Sequence, residues 1–207
     1  GPQAVMTERF SPAAQAWLDH GCAYCTINYR GSTSFGQAFQ TAIHEEPGQL
    51  ECDDIAAGVR WLMAEGIAQA DGLVLWGEGY GGSLALLTAG KEPTLWAAVI
   101  AESAVVDWSQ QYRESDESGQ TRIRALFGGT PQEKPAQYQQ ASPLTCAQSV
   151  SAPVLAMQAE ADPRCSAAAM RRYGDALRAV QLHWVEAGGG IEQRIEQQRL
   201  MMQFVYD

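Results

Sequence analysis

Leu73–Ser83 reads LVLWGEGYGGS, and this stretch decides the fold. Its first four residues are a short apolar run of the kind that forms a buried strand. Gly77-Glu78-Gly79-Tyr80-Gly81-Gly82 follows, and then a helical stretch over Ser83–Thr88. A strand turning through glycines into a helix has the shape of a nucleophile elbow, whose pattern is G-x-S-x-G. In that turn the central residue sits at the tip in a strained backbone, and the flanking glycines let strand and helix pack closely. Here the central place holds Gly79. The turn is shaped for a nucleophile and carries none.

Outward from the elbow, the chain alternates. On the N-terminal side, 12–19 (PAAQAWLD) reads as a helix, 22–28 (CAYCTIN) as a strand and 53–65 (DDIAAGVRWLMAE) as a strong helix. In the last, Ile55, Val59 and Leu62 share a face, Asp53 stands at the N-cap and Gly66 terminates. On the C-terminal side, strands are expected at 97–101, 153–158 and 181–185, with helices over 167–179 and 191–205. Short apolar strands separated by helical patterns indicate a mostly parallel sheet with helices on both faces. The fold class is therefore α/β, one domain over 1–207, with five strands counting 22–28 and 73–76. The stretch 108–150 breaks the rhythm: it is polar (SQQYRESDESGQTR), then turn-rich (FGGTPQEKP), and reads as an insertion over the strand ends.

Composition narrows the function. A length of 207 residues, 46% hydrophobic and 18% charged, suits one ordered domain and argues against disorder. With 14 Lys+Arg against 24 Asp+Glu the net charge is −10, which disfavours nucleic acid, since phosphate binding needs a basic surface. No run of about 18 apolar residues exists, and the start GPQAVMTERF lacks a secretory signal's basic cluster and apolar core. The expectation is a soluble, cytoplasmic chain that contacts no membrane. Five cysteines leave one unpaired in any full disulfide scheme. Cys22 and Cys25 form a C-x-x-C inside the expected strand, where positions three apart face opposite sides. No second pair or nearby His completes a metal site, so buried free thiols, no metal and no cofactor are expected.

Several segments then carry a resemblance. Asn28-Tyr29-Arg30-Gly31-Ser32-Thr33 is followed by Phe35-Gly36 and Phe39, and Asp53-Asp54 heads a helix ending in Trp61-Leu62. Ser142-Pro143-Leu144 and Ala152-Pro153-Val154-Leu155 precede Glu160-Ala161-Asp162-Pro163-Arg164, and Trp184-Val185-Glu186-Ala187-Gly188-Gly189-Gly190 lies near the end. With the elbow, these make nearly the whole chain resemble the C-terminal α/β-hydrolase catalytic domain of the prolyl oligopeptidase family of serine peptidases. The resemblance implies Asp162 as the triad acid, Gly79 at the serine position and Gly189 at the histidine position. It also implies Tyr80 as an oxyanion-hole N–H donor, and Glu78, Tyr29 and Arg30 as binding residues. Acyl transfer by this route needs a hydroxyl to attack, an imidazole to take its proton and a carboxylate to orient the imidazole. Two of the three are glycine, so hydrolysis is expected to be impaired. Substitutes are weak: Ser83 lies a helical turn past the tip, His183 six residues short of its place, and His20 and His44 outside any motif. Cys165 lacks a basic neighbour in sequence to make it a thiolate.

The resemblance also implies missing parts. The family's sheet begins with strands ahead of an HGGP segment, whose end Gly1-Pro2 matches, and its peptidases usually carry a β-propeller. The absent strand would lie between 22–28 and 73–76, leaving buried N–H and C=O groups at about 1–3 kcal/mol each if unpaired. Either the sheet closes up, or a partner chain, a swapped segment or an N-terminal segment completes it. Two further readings stand beside an impaired peptidase, with a peptide or small molecule as ligand. One is a pseudoenzyme that binds a ligand or partner at the elbow cavity. The other is a lyase or cyclase on the same scaffold, using Asp162 or Glu78.

Overall fold

The computed structural model describes residues 2–186 and 190–207 and places four strands in one sheet. These are β1 (Val74–Glu78), β2 (Ala98–Glu102), β3 (Val154–Ala159) and β4 (Val180–Val185), ordered β1-β2-β3-β4 and all parallel. The helices are α1 (Pro12–Asp19), α2 (Gln37–Thr41), α3 (Leu50–Ala64), α4 (Tyr80–Lys91), α5 (Trp108–Glu114), α6 (Glu117–Phe127), α7 (Pro135–Gln140), α8 (Ala167–Ala176) and α9 (Ile191–Tyr206). Side chains alternate along the central strands and so build two cores. Val99, Ala101, Val154 and Ala156 face Ile55 and Val59 of α3 and Leu84 and Leu87 of α4. Ile100, Leu155 and Met157 face Trp17 of α1 and Met201 of α9. Both faces of a parallel sheet are thus covered, as the apolar runs predicted.

The expected strand at 22–28 is corrected: it joins no ladder. Its side chains nonetheless alternate as a strand's would. Cys22 packs with Val74 and Trp76 on the α9 face, and the Tyr24 ring meets that of Trp76 edge-on at 6.1 Å. Ile27 and Tyr29 pack with Leu75 on the α3 face. The segment therefore runs in the plane of the sheet beside β1, but no described backbone lies between them to hydrogen-bond with. Ala23–Thr26 are exposed and all of Val74–Gly77 is half-buried, whereas β2 is buried over Ala98–Ala101 and β3 along its whole length.

Other boundaries shift for local reasons. The helix expected from Asp53 begins at Leu50, because the Glu51 carboxylate turns back to accept Gly48 N at 2.8 Å. Asp53 sits in the first turn and takes Gln49 Nε2 instead of capping. The helix after the elbow begins at Tyr80 and not Ser83, since Gly81 and Gly82 are helical. The stretch 108–150 is chiefly helical: Asp107 and Asp116 cap α5 and α6, and Gly128 ends α6 in the left-handed region at φ 71°. A 3-10 helix, Pro143–Ser149, follows α7. Trp108, Ile123, Phe127 and Tyr138 form a third core there, with the Phe127 and Tyr138 rings stacked at 4.0 Å.

The five cysteines are unpaired, but not all are buried: Cys52 and Cys165 are, Cys22 and Cys146 are half-buried and Cys25 is exposed. Among the described residues no helix is long and apolar enough to cross a membrane, and no group of three metal-ligating side chains is assembled.

Candidate active site

Gly79 stands between β1 and α4 with φ 58° and ψ −120°. This is a region that residues with a side chain enter only under strain, about 1–3 kcal/mol. A Cβ built on Gly79 meets no atom within 4 Å, so the tip is sterically open as well as strained. Its N–H donates to Glu102 O at 2.8 Å and its carbonyl accepts Ser83 N at 3.0 Å, which fixes the turn to β2 and to α4. The tight packing falls at Gly77, where a Cβ would run into the Gly81 carbonyl, and at Gly82, where it would lie 2.9 Å from Glu102 O. Both obstacles are backbone and cannot swing away. Gly77→Ala is therefore expected to cost about 3 kcal/mol or more, lowering the melting temperature by roughly 6–12 °C, read by thermal unfolding.

Beneath the turn lies a buried carboxylate that no motif announced. Glu51 is 0% exposed; it accepts Tyr80 Oη at 2.6 Å and Gly48 N at 2.8 Å. The carboxylate reaches back three residues to Gly48 N much as a capping-box glutamate does, but Gly48 has no hydroxyl to complete the motif in sequence. Burial pushes the Glu51 carboxyl up, against the pull of the Tyr80 hydroxyl. Burial likewise pushes the Tyr80 phenol well up, reinforced by Glu51. Tyr29 also lies in this cluster, with its hydroxyl buried and unpartnered and its phenol raised by burial and then by Glu51. Tyr29 thus faces inward under the elbow. Arg30 is committed to α3: its backbone N and guanidinium bind the Asp54 carboxylate at 2.6–3.0 Å.

Asp162 is held differently. Its Oδ1 accepts Arg164 N and Nε, both at 2.9 Å, and its Oδ2 accepts Arg164 Nη2 at 2.7 Å. The guanidinium hydrogen bond holds this carboxyl below the ordinary carboxylate range. The signs of these shifts predict a pH profile. A carboxyl raised by burial stabilises the fold as pH falls towards its ordinary value, because the folded state takes the proton first. A carboxyl lowered by its partner loses its contribution as pH falls through its folded value. Stability is expected to rise from pH 7 to about 5 and to fall below about 4. Glu51→Gln should flatten the upper limb only, with Glu102, also raised by burial, retaining a share. Melting temperature against pH for both proteins checks this.

The remaining candidates are placed by their neighbours. Glu78 is exposed at the end of β1, in register with Glu102, whose Oε1 accepts Trp76 Nε1 at 2.6 Å. Ser83 is buried; its hydroxyl donates to Gly79 O and accepts Val105 N, so it holds the elbow to β2's following loop. Cys165 is 1% exposed and burial pushes its thiol up to about 11, far from a thiolate. His183 is half-buried on β4 opposite Met157, His20 turns its ring to Ala16 O, and His44 is exposed. Gly189 and Gly1 lie outside the described residues. A cavity of about 570 Å³ opens between β4 and α9, against Trp184, Glu186, Ile191 and Glu192. A second, of about 280 Å³, sits at the opposite end of the sheet against Val74, Pro153 and Phe204. Neither is lined by Gly79, Tyr80 or Asp162.

Comparison with known proteins agrees with this architecture. The model of the prolyl oligopeptidase family matches residues 8–198. Dipeptidyl peptidase family member 6 of Caenorhabditis elegans is 28% identical over 183 residues, covering 86% of this chain and 25% of that protein. The acylamino-acid-releasing enzyme of Sus scrofa is 26% identical, covering 70% of this chain and 20% of its own length. Among solved structures, the acylaminoacyl peptidase of Pyrococcus horikoshii superposes with a TM-score of 0.76 at 26% identity, over 86% of this chain and 31% of that one. Dipeptidyl peptidase 4 of Porphyromonas gingivalis, at 21% identity, shares the fold over 100% of this chain and 30% of its own, with a TM-score of 0.84. The chain spans about a quarter of the length of such relatives.

Proposed function

Because the chain belongs to the prolyl oligopeptidase family, we propose that it is a serine-peptidase catalytic domain whose peptide hydrolysis is disabled as the sequence stands. One observation carries this reading. Gly79 keeps the strained dihedrals and open tip at which a nucleophile would stand, yet has no atom to attack with. Asp162 remains as the acid, and the Tyr80 N–H follows the tip as the oxyanion donor. Gly189 supplies no imidazole. Ser83 and Cys165 do not replace the nucleophile, one hydroxyl being bound on both sides and the thiol being buried and neutral. The unmodified chain should neither cleave peptides nor react with a serine-directed phosphonate; reaction at any residue would overturn the proposal.

A second element rests on 22–28 and β1. These two stretches share faces without sharing backbone hydrogen bonds among the described residues. The reading is that an extended segment, from a second chain or another part of the protein, pairs there. Five unpaired thiols fit a reducing, cytoplasmic setting.

A further inference from the structure

The first turn of α4 has no cap of its own. Its N-cap is Gly79, which offers no side chain, and Gly81 and Gly82 follow Tyr80. Glycine is poorly suited to a helix, since ordering it loses the most backbone freedom. Three of the four residues from Gly79 to Gly82 therefore resist order, and Tyr80 supplies the turn's only side chain. Its hydroxyl donates at 2.6 Å to Glu51 Oε1, 29 residues away on α3. Glu51 Oε2 accepts Gly48 N at 2.8 Å, and Gly48 O in turn accepts Lys91 Nζ at 3.0 Å. Tyr80 and Lys91 are the first and last residues of α4. Eleven positions apart, they fall on one face of a helix of 3.6 residues per turn. Leu87 shares that face, close enough that a Cβ on Gly48 would lie 2.7 Å from its Cδ2. The short segment Gly48–Glu51 thus holds α4 at both ends.

A buried carboxylate is an expensive way to fill space. Glu51 has no ion-pair partner within 4 Å among the described residues, and a well-packed apolar residue would ordinarily be no less stable. What an apolar residue does not offer is direction. Two hydrogen bonds to one carboxylate fix the Tyr80 hydroxyl against the Gly48 amide. The tyrosine ring, whose centroid lies 5.9 Å from that of Trp108, is then held from both sides.

We propose that Glu51 is the positioning residue of the elbow: through Tyr80 at one end of α4, and through Gly48 and Lys91 at the other, it sets where the Tyr80 N–H points. That this N–H serves as an oxyanion donor rests on the proposed function; the tether itself does not. Amide hydrogen exchange on the full chain separates the two. Tyr80→Phe removes one hydrogen bond to a charged acceptor and leaves the ring. It should speed exchange at Ser83 and Leu84 about tenfold or more relative to Leu86 and Leu87. Glu51→Gln should act in the same direction, and the double variant should add little to either single change, as expected for one shared interaction. If Tyr80→Phe leaves the ratio of Ser83 to Leu87 exchange unaltered while lowering the melting temperature, Glu51 is a buried acceptor only and the proposal fails. Should Glu51→Gln not fold, Tyr80→Phe decides alone. Failure of the peptidase reading would appear as phosphonate labelling of the unmodified chain and would leave this exchange ratio unaffected.

Discussion

Gly79→Ser combined with Gly189→His is expected to convert an inert chain into one that a fluorescent organophosphonate labels, on the order of 10³-fold faster than either single variant. The reason is that triad members act as a unit. Gly79→Ser alone places a hydroxyl at the open tip, with strain of about 1–3 kcal/mol, but gives it no base. Gly189→His alone supplies a base with nothing to activate. On the proposed function Asp162 is the third member, and it needs one free acceptor site. Asp162 Oδ1 is taken by two Arg164 donors and Oδ2 by one, and a carboxylate has about four lone-pair sites. One site on Oδ2 is left for an imidazole N–H. Adding Asp162→Asn to the double variant should then remove most of that gain, a loss of up to about 10³-fold, through loss of the oriented tautomer. Equal labelling by Gly79→Ser alone would mean that another base serves the elbow, and the assignment of Gly189 to the histidine position would be wrong.

How much of this was legible in the sequence differs by kind of signal. The elbow was legible because its constraint is local: Gly77 must be glycine to clear the Gly81 carbonyl, and only a glycine-rich turn lets β1 reverse into α4 there. The sheet strands β2 and β3 were legible because they are buried on both faces and so read as unbroken apolar runs. The stretch 22–28 has the same apolar character, yet a strand is defined by a neighbour, and composition does not reveal whether the neighbour is there. Glu51 was missed for a related reason. Its partner Tyr80 is 29 positions away, and the composition of GQLECDD does not set a buried carboxylate apart from the solvated Asp53 two residues on. The helical stretch 108–150 was hidden by its surface, since α6 carries buried residues at only Gly119, Ile123 and Phe127. Long-range pairing, not propensity, separates what could be read from what could not.

The free edge of β1 is where that pairing has its largest consequence. β1 bonds to β2 on one side, and on the other meets 22–28 through side chains such as Tyr24 against Trp76, with no backbone hydrogen bond between the two among the described residues. Exposed edges of this kind recruit other strands. Each backbone hydrogen bond made there contributes about 1 kcal/mol net, so five residues of β1 with their flanking apolar contacts offer roughly 5–8 kcal/mol. That is the scale of association between about 200 μM and about 1 μM. Ile27, Val74 and Trp76, which the open edge leaves half-buried, would lose their remaining contact with water on pairing. In light scattering, the isolated chain is therefore expected to move from monomer towards dimer or larger species as its concentration passes through the micromolar range. Hydrogen exchange should follow the same transition. Amides of 22–28 have no ladder partner and should exchange quickly when dilute, then slow by about tenfold or more as the gap fills. β1 should show the same change superimposed on the protection it already draws from β2. A clean monomer at all concentrations with both 22–28 and 74–78 strongly protected would mean that the two stretches pair directly in solution. The gap would then not exist, and the case for a recruited strand would go with it.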